Sequence, residues 1–287
     1  MLETGINFTK FGFECSDADT MREIRAAGFH TFFTSFMSKE DTARFKRIGE
    51  EAGLRYESIH APYRGINCIW EPGEKGDHYV TTLCSVADTC KEFEIPYFTL
   101  HCMNVPQFNV DVTGVQRYSE LGLDRFRRVV EYAGECGVKA CFENVEFPQF
   151  EMKCFMDAFR AEGHEALGFT WDVGHEHCYP APGFDVADAF GDLMIGTHIH
   201  DNYGQKDAHV ITWNDDSHLL PFDGTVNFLE VARALKRVGY TGTVTLEVSG
   251  RAKDSVPYYR GATLASMLSE AHTRAERIAL LVEAVDP

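Results

Sequence analysis

The strongest constraint on the fold of this chain is a regular alternation of short apolar segments with longer segments of helical periodicity. The apolar segments are rich in β-branched and aromatic residues, and a glycine or another turn residue closes most of the helical ones. Eight strands are predicted in this way, at residues 3–9, 29–36, 55–61, 97–102, 139–145, from 169 onward, 195–200 and 243–248.

Eight strands that are each followed by a helix predict a (β/α)8 TIM barrel, because parallel strands need a crossover of this kind. We expect the 287 residues to form one domain, 1–287, since such a barrel typically takes about 250 residues. The alternative is an open, doubly wound sheet, which usually has fewer units and a glycine-rich phosphate-binding turn. The sequence contains neither G-x-G-x-x-G nor G-x-x-x-x-G-K-[ST], so the barrel is favoured.

Composition limits the functions that such a barrel can have. Lysine and arginine number 27 against 44 aspartates and glutamates, a net charge of −17, and an acidic surface repels nucleic acid. No apolar run is long enough to cross a membrane and the N-terminus does not resemble a signal peptide, so we expect no membrane partner and a cytoplasmic location. Nine cysteines without a Cys-x-x-Cys pair indicate reduced thiols and not a thiolate metal cage.

The sixth predicted strand ends in the sequence Phe169-Thr-Trp-Asp172-Val-Gly-His175-Glu-His177. Its carboxylate and imidazole, three residues apart, are both ligand types for divalent metals, and the glycine between them allows a tight turn. The stretch therefore predicts a metal site at the carboxyl end of a strand. The alternative is that Asp172 caps the next helix while His175 and His177 are solvated loop residues.

Further histidines and carboxylates lie at the carboxyl ends of the other predicted strands, where the active sites of (β/α)8 barrels are built. They are His60, His101, Glu143, His198, His200, Asp201 and Glu247, and the loop after the seventh strand adds His209, Asp216 and His218. A single strand histidine is usually a core residue, but so many at one face indicate a shared metal site. Glu143 and Glu247 also lie in apolar strands, where a cation would stabilise a carboxylate that is otherwise costly to bury.

These residues, in this order, resemble the xylose-isomerase-like barrel superfamily of sugar and sugar-phosphate isomerases and epimerases, which includes the endonuclease IV branch. The matching motifs span residues 60–247 and thus most of the barrel. They are Ser-Ile-His60-Ala-Pro-Tyr, Thr-Leu-His101, Phe-Glu143-Asn, Asp172-Val-Gly-His175, His198-Ile-His-Asp201, Asp216-Ser-His218-Leu-Leu-Pro-Phe-Asp-Gly-Thr-Val and Leu-Glu247. Where this chain has Pro221-Phe222, the family usually has Pro-Gly.

The resemblance implies one divalent ion, Mn²⁺, Mg²⁺, Co²⁺ or Zn²⁺, held by Glu143, Asp172, His198 and Glu247. Glu143 and Glu247 would also be the catalytic pair that moves a proton next to a carbonyl. In the endonuclease branch up to three zinc ions are bound, with additional ligands at positions that match His60, His101, His175, Asp216 and His218.

Two assignments within these motifs have alternatives. Asp207-Ala-His209 competes with Asp216-Ser-His218 for the same Asp-x-His motif, and we favour the second because the residues after it continue the family pattern. His200 would either orient a substrate hydroxyl or pack behind the ligands.

The expected activity is metal-dependent isomerisation or epimerisation of a small-molecule sugar or sugar phosphate. Alternatives on the same residues are a multinuclear zinc phosphodiesterase resembling the endonuclease branch, a keto-sugar dehydratase or lyase, and a barrel that binds without turnover. Candidate substrate contacts on mouth-side loops, each otherwise an ordinary surface residue, are Arg64, Trp70, Lys206 and Arg251. Family members are often dimers or tetramers, so we expect a homo-oligomer.

Overall fold

The computed structural model describes residues 1–104, 119–145, 149–207, 215–249 and 261–286. Within them lie eight strands: β1 (Thr4–Asn7), β2 (Thr31–Ser35), β3 (Arg55–His60), β4 (Tyr97–His101), β5 (Lys139–Glu143), β6 (Leu167–Asp172), β7 (Met194–His198) and β8 (Val244–Leu246). All pairings are parallel, in the order β7-β6-β5-β4-β3-β2-β1-β8. The two ends of this sheet meet where Ile199 bridges to Leu246, which gives a nearly closed barrel.

Helices connect consecutive strands and pack against the sheet. In the described residues they are α1 (Asp17–Ala27), α2 (Lys39–Ala52), α3 (Glu74–Glu92), α4 (Glu120–Cys136), α5 (Gln149–Ala161), α6 (Val173–Cys178), α7 (Val186–Phe190), α8 (Phe228–Arg237) and α9 (Leu264–Ala284). Two shorter segments, Ile66–Trp70 and Gly191–Leu193, are 3-10 helices. The (β/α)8 TIM barrel that the alternation predicts is thereby confirmed.

The helix boundaries follow from local chemistry. The hydroxyls of Ser16, Ser38 and Ser119 each accept a hydrogen bond from a backbone amide three residues later, which satisfies a donor that the helix itself leaves free. Gly28 and Gly53 end α1 and α2 with φ angles of 119° and 81°, a left-handed conformation that costs glycine little.

Aromatic packing between the sheet and the helices fixes the strand that carries Glu143. The ring of Phe142 in β5 meets Phe126 of α4 and Phe155 of α5, with centroids 5.3 and 5.4 Å apart and nearly perpendicular planes. All three rings are fully buried, and each such burial contributes about 1.5–3 kcal/mol. Because successive side chains in a strand point to opposite faces, this packing directs the next side chain, Glu143, toward the barrel interior.

The connection between β3 and α3 is anchored in the core by Trp70. Its indole is 2% exposed, packs against Phe126 and donates a hydrogen bond from Nε1 to the Cys102 carbonyl over 2.7 Å. The prediction that Trp70 contacts substrate at the barrel mouth is therefore wrong. A large apolar ring gains more from burial against the glycine surface of α4 than from exposure on a loop.

Two further differences from the sequence prediction affect the site. Residues 173–178, expected to form a turn or loop, form the short helix α6. Strand β7 ends at His198, so Ile199 closes the barrel and His200 follows the closure. Across the residues that the structure describes, no helix combines the length and apolar character needed to span a membrane.

Candidate metal centre

Four candidate ligands meet where β5, β6, β7 and β8 end, and we call them the central cluster: Glu143, Asp172, His198 and Glu247. One ligand atom from each lies within 4.8 Å of those of the others. His198 Nδ1 is 2.6 Å from Glu143 Oε1 and 3.3 Å from Glu247 Oε2. Glu143 and Asp172 are fully buried and His198 is 1% exposed, so the cluster lies inside the barrel and not on its surface.

A second group, the β3–β4 cluster, consists of His60, His101 and Glu143. Glu143 Oε2 lies 2.9 Å from His101 Nε2 and 3.3 Å from His60 Nε2. His60 Nδ1 is 2.8 Å from the Ala61 carbonyl, to which it can only donate, so a neutral His60 presents a lone pair at Nε2. A lone pair this close to a carboxylate oxygen is repulsive unless a proton or a cation lies between them.

A third group, the loop cluster, consists of His175, His200, Asp216 and His218. Asp216 Oδ1 is 3.2 Å from His218 Nε2, and Asp216 Oδ2 is 3.7 Å from His175 Nε2. His218 Nδ1 lies 2.9 Å from the Glu247 carbonyl, which again leaves Nε2 free to act as a ligand. His218 also has a φ of 46°, a strained value for a residue other than glycine.

His200 supports this cluster by stacking. Its ring lies on that of His218 with centroids 3.8 Å apart and planes at 12°. The in-plane lone pairs of two parallel stacked rings cannot both point at one ion, so one of the two is not a ligand. His200 Nε2 is also 3.1 Å from Asp172 Oδ1, a contact that links the loop cluster to the central one. The stacking therefore leaves one of the two rings, and not both, as a ligand of a single ion.

Asp172 can act both as a helix cap and as a metal ligand. Its Oδ1 accepts a hydrogen bond of 2.6 Å from the His175 amide and so caps α6. Its Oδ2 forms no hydrogen bond within the described part of the chain. His175 is 5% exposed, so it is not the solvated loop residue of the alternative interpretation. One oxygen therefore fixes the helix and the other is available to a ligand.

Asn144 is not among the residues predicted for the site, although it bonds to the backbone of a candidate ligand. It follows Glu143 in the Phe-Glu-Asn motif, is fully buried, and bonds through its carboxamide to both backbone polar groups of Asp172. In the sequence, the only indication is that Asn144 directly follows Glu143, a candidate ligand at the end of a strand.

In these clusters, the imidazole and carboxylate groups shift each other's pKa toward the charged form. Burial lowers the pKa of His198, but Glu247 and Glu143 outweigh it and hold this pKa well above its ordinary value. Burial raises the pKa of Glu143, whereas His198 and His101 bring it well below its ordinary value. In the loop cluster, Asp216 overcomes burial and raises the pKa of His218 to about 9. The buried carboxylates thus attract positive charge.

The residues fit a divalent cation. Asp172 Oδ2 is a buried oxygen without a hydrogen bond in the described residues, and Glu143 Oε2 and Asp216 Oδ1 have only imidazole nitrogens beside them. Leaving such a group unsatisfied costs about 1–3 kcal/mol or more, which coordination would offset. The clusters offer carboxylate oxygens and imidazole nitrogens and include no thiolate, a donor set suited to Zn²⁺, Co²⁺ and Mn²⁺ and, through its oxygens, Mg²⁺.

Asp201, one of the candidate site residues at the strand ends, holds a loop in place. Its Oδ1 accepts hydrogen bonds from the amides of Asn202 and Val226, and its Oδ2 accepts one from Gly224. These bonds tie the segment after β7 to the segment that leads into α8. The side chain is thereby committed to backbone amides.

The remaining predicted contacts lie at the surface or outside the described residues. Arg64 and Lys206 are exposed on the loops that follow β3 and β7, and neither belongs to a cluster of candidate ligands. Their roles as substrate contacts stay predictions. Arg251 and His209 lie outside the described residues.

The chain is similar to known proteins over most of its length. The family model described as xylose isomerase-like TIM barrel matches residues 21–273. The protein y4fM of Sinorhizobium fredii is 27% identical over 259 residues, which are 78% of either chain. The inosose isomerase of Halalkalibacterium halodurans is 24% identical over 172 residues, 59% of this chain and 58% of that enzyme.

A similar solved structure covers almost the entire chain. The D-psicose 3-epimerase of Clostridium cellulolyticum H10, solved with D-tagatose, superposes with a TM-score of 0.73. The match covers 98% of this chain and 99% of that chain at 14% sequence identity. At that identity the likeness concerns the fold.

Proposed function

This chain belongs to the family of xylose isomerase-like TIM barrels, and from that premise we propose that it is a metal-dependent isomerase or epimerase of a sugar or sugar phosphate. The observation that carries the proposal is the placement of two carboxylates on one imidazole nitrogen, with His198 Nδ1 2.6 Å from Glu143 and 3.3 Å from Glu247. The two glutamates come from the ends of β5 and β8, which are not neighbours in the barrel. They therefore reach the centre from different directions.

The central cluster is the proposed place for the ion, with Glu143, Asp172, His198 and Glu247 as its ligands. When bound, a divalent ion polarises the substrate carbonyl and so acidifies the adjacent C–H bond, a contribution of several kcal/mol. The mixed oxygen and nitrogen ligands leave Mn²⁺, Mg²⁺, Co²⁺ and Zn²⁺ as candidates.

Proton transfer is the task of the two glutamates. One glutamate, as the carboxylate, removes the proton next to the carbonyl. The other, as the carboxylic acid, gives a proton to the opposite face or to the neighbouring carbon, so the two exchange protonation states. Contacts with His101 and His198 hold the buried Glu143 in place, whereas the side chain of Glu247 is 19% exposed. Positioned proton transfer of this kind typically contributes about 10²–10⁴-fold in rate.

The substrate class is proposed from two similar proteins. One is named as an inosose isomerase and the other as a D-psicose 3-epimerase. We transfer to this chain only what the two names share, a polyhydroxylated carbonyl compound and a change of its isomer. A carboxylate pair inside a barrel suits this chemistry because a water-poor site strengthens the electrostatic interactions that the two glutamates make.

The test is a panel of sugars and sugar phosphates assayed with Mn²⁺, Mg²⁺, Co²⁺ and Zn²⁺. Glu143→Gln and Glu247→Gln are each expected to lower kcat by at least about 10²-fold. Reaction in D₂O is expected to place deuterium on the carbon next to the carbonyl of the product. The matched control is Glu57→Gln, another buried carboxyl, which accepts hydrogen bonds from Thr31 and Thr245 outside the three clusters. Wild-type rates in both cluster variants would reject the two-glutamate mechanism.

A specific observation keeps a second activity under consideration. Glu143 belongs to two clusters, with Oε1 beside His198 and Oε2 beside His101, so the residues of both clusters would supply ligands for more than one ion. Multinuclear sites of this type hydrolyse phosphodiesters. The net charge of −17 opposes a nucleic acid substrate.

Metal stoichiometry separates the two activities. About one ion per chain supports the isomerase, whereas about three ions together with cleavage of abasic-site DNA or of bis-p-nitrophenyl phosphate would support the hydrolase. Analysis of the products by NMR distinguishes isomerisation from dehydration or C–C cleavage of a keto-sugar, because only the latter two change the molecular formula.

A further inference from the structure

Glu247 is held less by the sheet than the other three residues of the central cluster. Glu143 is paired in the parallel ladder on both sides, and Asp172 and His198 are paired with each other. Strand β8 ends at Leu246, so Glu247 lies just beyond the ladder, and its side chain is 19% exposed. A carboxylate that transfers a proton must nevertheless be held in place, because a displacement of about 1 Å can cost about 10²-fold in rate.

The backbone on either side of the Glu247 Cα atom is held by hydrogen bonds from other parts of the chain. Its amide donates to the Ile199 carbonyl over 3.1 Å, and its carbonyl accepts a hydrogen bond of 2.9 Å from His218 Nδ1. The next residue, Val248, is bonded twice to Asn7: the Val248 amide donates to Asn7 Oδ1, and Asn7 Nδ2 donates to the Val248 carbonyl, both over 3.0 Å. Because the Glu247 carbonyl and the Val248 amide form one planar peptide group, Asn7 and His218 hold the same rigid unit.

Resting on the proposed function, we propose that Asn7 is a positioning residue for the catalytic carboxylate of Glu247. Its carboxamide offers a donor and an acceptor together, as the backbone does, and so continues the pairing of β1 with β8 past the end of β8. Asn7 lies in β1, where it is paired with Phe33 of β2, so the anchor belongs to the sheet and not to a loop. Asn144 makes the same exchange with the backbone of Asp172, at another strand end that carries a ligand of the central cluster.

The competing role for Asn7 is closure of the barrel between β1 and β8. The backbone already makes this closure, since residues 4–6 are paired in the ladder with residues 244–246. The side chain of Asn7 adds its two hydrogen bonds after the last of these pairs, on the residue that follows Glu247. A role in closure alone does not explain why the additional bonds lie there.

The experiment measures kcat and KM for Asn7→Ala, at saturating divalent ion, with the sugar that wild type converts best. In the wild-type background, kcat is expected to fall by about 10- to 100-fold with KM within about threefold, because a misplaced base impairs proton transfer more than substrate binding. In a Glu247→Gln background the same change is expected to lower kcat by less than about twofold, because the group that Asn7 positions is no longer a base. Equal losses of kcat in the two backgrounds would indicate a general structural role and overturn the proposal.

Crystal structures of the variants give a readout that does not depend on turnover. In Asn7→Ala the Glu247 carboxylate is expected to move by about 1 Å or more from its place 3.3 Å from His198 Nδ1. The control is Asn67→Ala, which removes a similar two-way exchange with the backbone of Asn104 and is expected to leave kcat and the Glu247 carboxylate unchanged. An unmoved Glu247 in Asn7→Ala would overturn the proposal.

A second variant keeps the test decisive if Asn7→Ala does not fold. Asn7→Asp retains the acceptor for the Val248 amide and, as a carboxylate, loses the donor for the Val248 carbonyl. It is expected to lower kcat by about threefold to tenfold, the scale of one lost hydrogen bond. Wild-type kcat together with an unmoved Glu247 would again overturn the proposal. A wild-type protein that converts no sugar of the panel, with Glu247 displaced in the Asn7 variants, would refute the isomerase function and support the positioning role.

Discussion

Asn144 and Asp172 exchange two hydrogen bonds, one in each direction, between the carboxamide of the first and the backbone of the second. Asn144 Nδ2 donates to the Asp172 carbonyl over 2.6 Å, and the Asp172 amide donates to Asn144 Oδ1 over 2.8 Å. Both residues are fully buried. Because Asn144 directly follows Glu143, this exchange fixes two strand ends that each supply a ligand of the central cluster.

Asn144→Ala is therefore expected to weaken divalent metal binding by about 10- to 100-fold, the usual effect of losing a group that orients a ligand. Competition with a chromogenic chelator measures this affinity. Asn67→Ala is the matched control, because Asn67 makes the same two-way exchange with the backbone of Asn104. An equal loss of affinity in both variants would indicate general destabilisation and contradict a positioning role for Asn144.

Removal of divalent ions is expected to lower the Tm of the wild-type protein. An ion present at 100 times its Kd stabilises the folded state by about 2.7 kcal/mol, which for a chain of this size corresponds to roughly 4–5 °C. The physical reason is the group of buried carboxylate oxygens, such as Asp172 Oδ2, which lacks a hydrogen bond in the described residues, and Glu143 Oε2, which has only imidazole nitrogens beside it.

Differential scanning fluorimetry with EDTA, followed by addition of Mn²⁺ or Zn²⁺, measures this change. The double variant Glu143→Gln, His198→Asn is expected to show no response to either addition. A wild-type Tm that stays constant while elemental analysis shows the metal to be gone would rule out an ion in the clusters.

Two glycines of α4 are predicted to respond in opposite directions to substitution by alanine. A Cβ at Gly122 would overlap the Trp70 ring, so Gly122→Ala is expected to destabilise by about 1–3 kcal/mol. A Cβ at Gly134 would lie 3.4 Å from that of Ala166, and Gly134→Ala is expected to stabilise by up to about 1 kcal/mol through helix propensity. Urea denaturation of both variants tests the pair. Equal changes in the free energy of unfolding would mean that the Trp70 ring does not require a glycine at position 122.

The sequence predicts that polar residues at the ends of apolar strands meet at one mouth, whereas the choice of Glu143, Asp172, His198 and Glu247 as one ligand set comes from the family resemblance. His198 and Glu247 are separated by 49 positions, yet the barrel topology alone brings strand ends together at one mouth. In the loop cluster, Asp216 and His218 are preferred to Asp207 and His209 because the residues after them continue the family pattern.

Trp70 could not be predicted correctly because its burial depends on Gly122, a residue far away in sequence that leaves room for the indole. Phe222 is a second example. It stands where the family usually has glycine and adopts a φ of 73°, a conformation that glycine favours. Its ring packs against Phe228, with the Arg277 guanidinium 4.2 Å above it. Such packing, invisible in the motif, can offset the backbone strain.

The last prediction concerns Arg125, which organises the connection that carries Tyr63 and Trp70. Its guanidinium is almost fully buried and donates to the carbonyls of Ile69, Glu71 and Gly73 over 2.7–3.0 Å, and to Asp77. An ammonium group cannot reach this spread of acceptors, so Arg125→Lys is expected to destabilise by about 3–5 kcal/mol.

Arg128 provides the control, since it lies on the same helix and contacts the same Asp77 but is 51% exposed. Arg128→Lys is expected to cost less than about 0.5 kcal/mol in urea denaturation, because an exposed ion pair is largely solvated. Comparable losses in the two variants would show that the ion pair with Asp77, and not the set of carbonyl contacts, holds the connection in place.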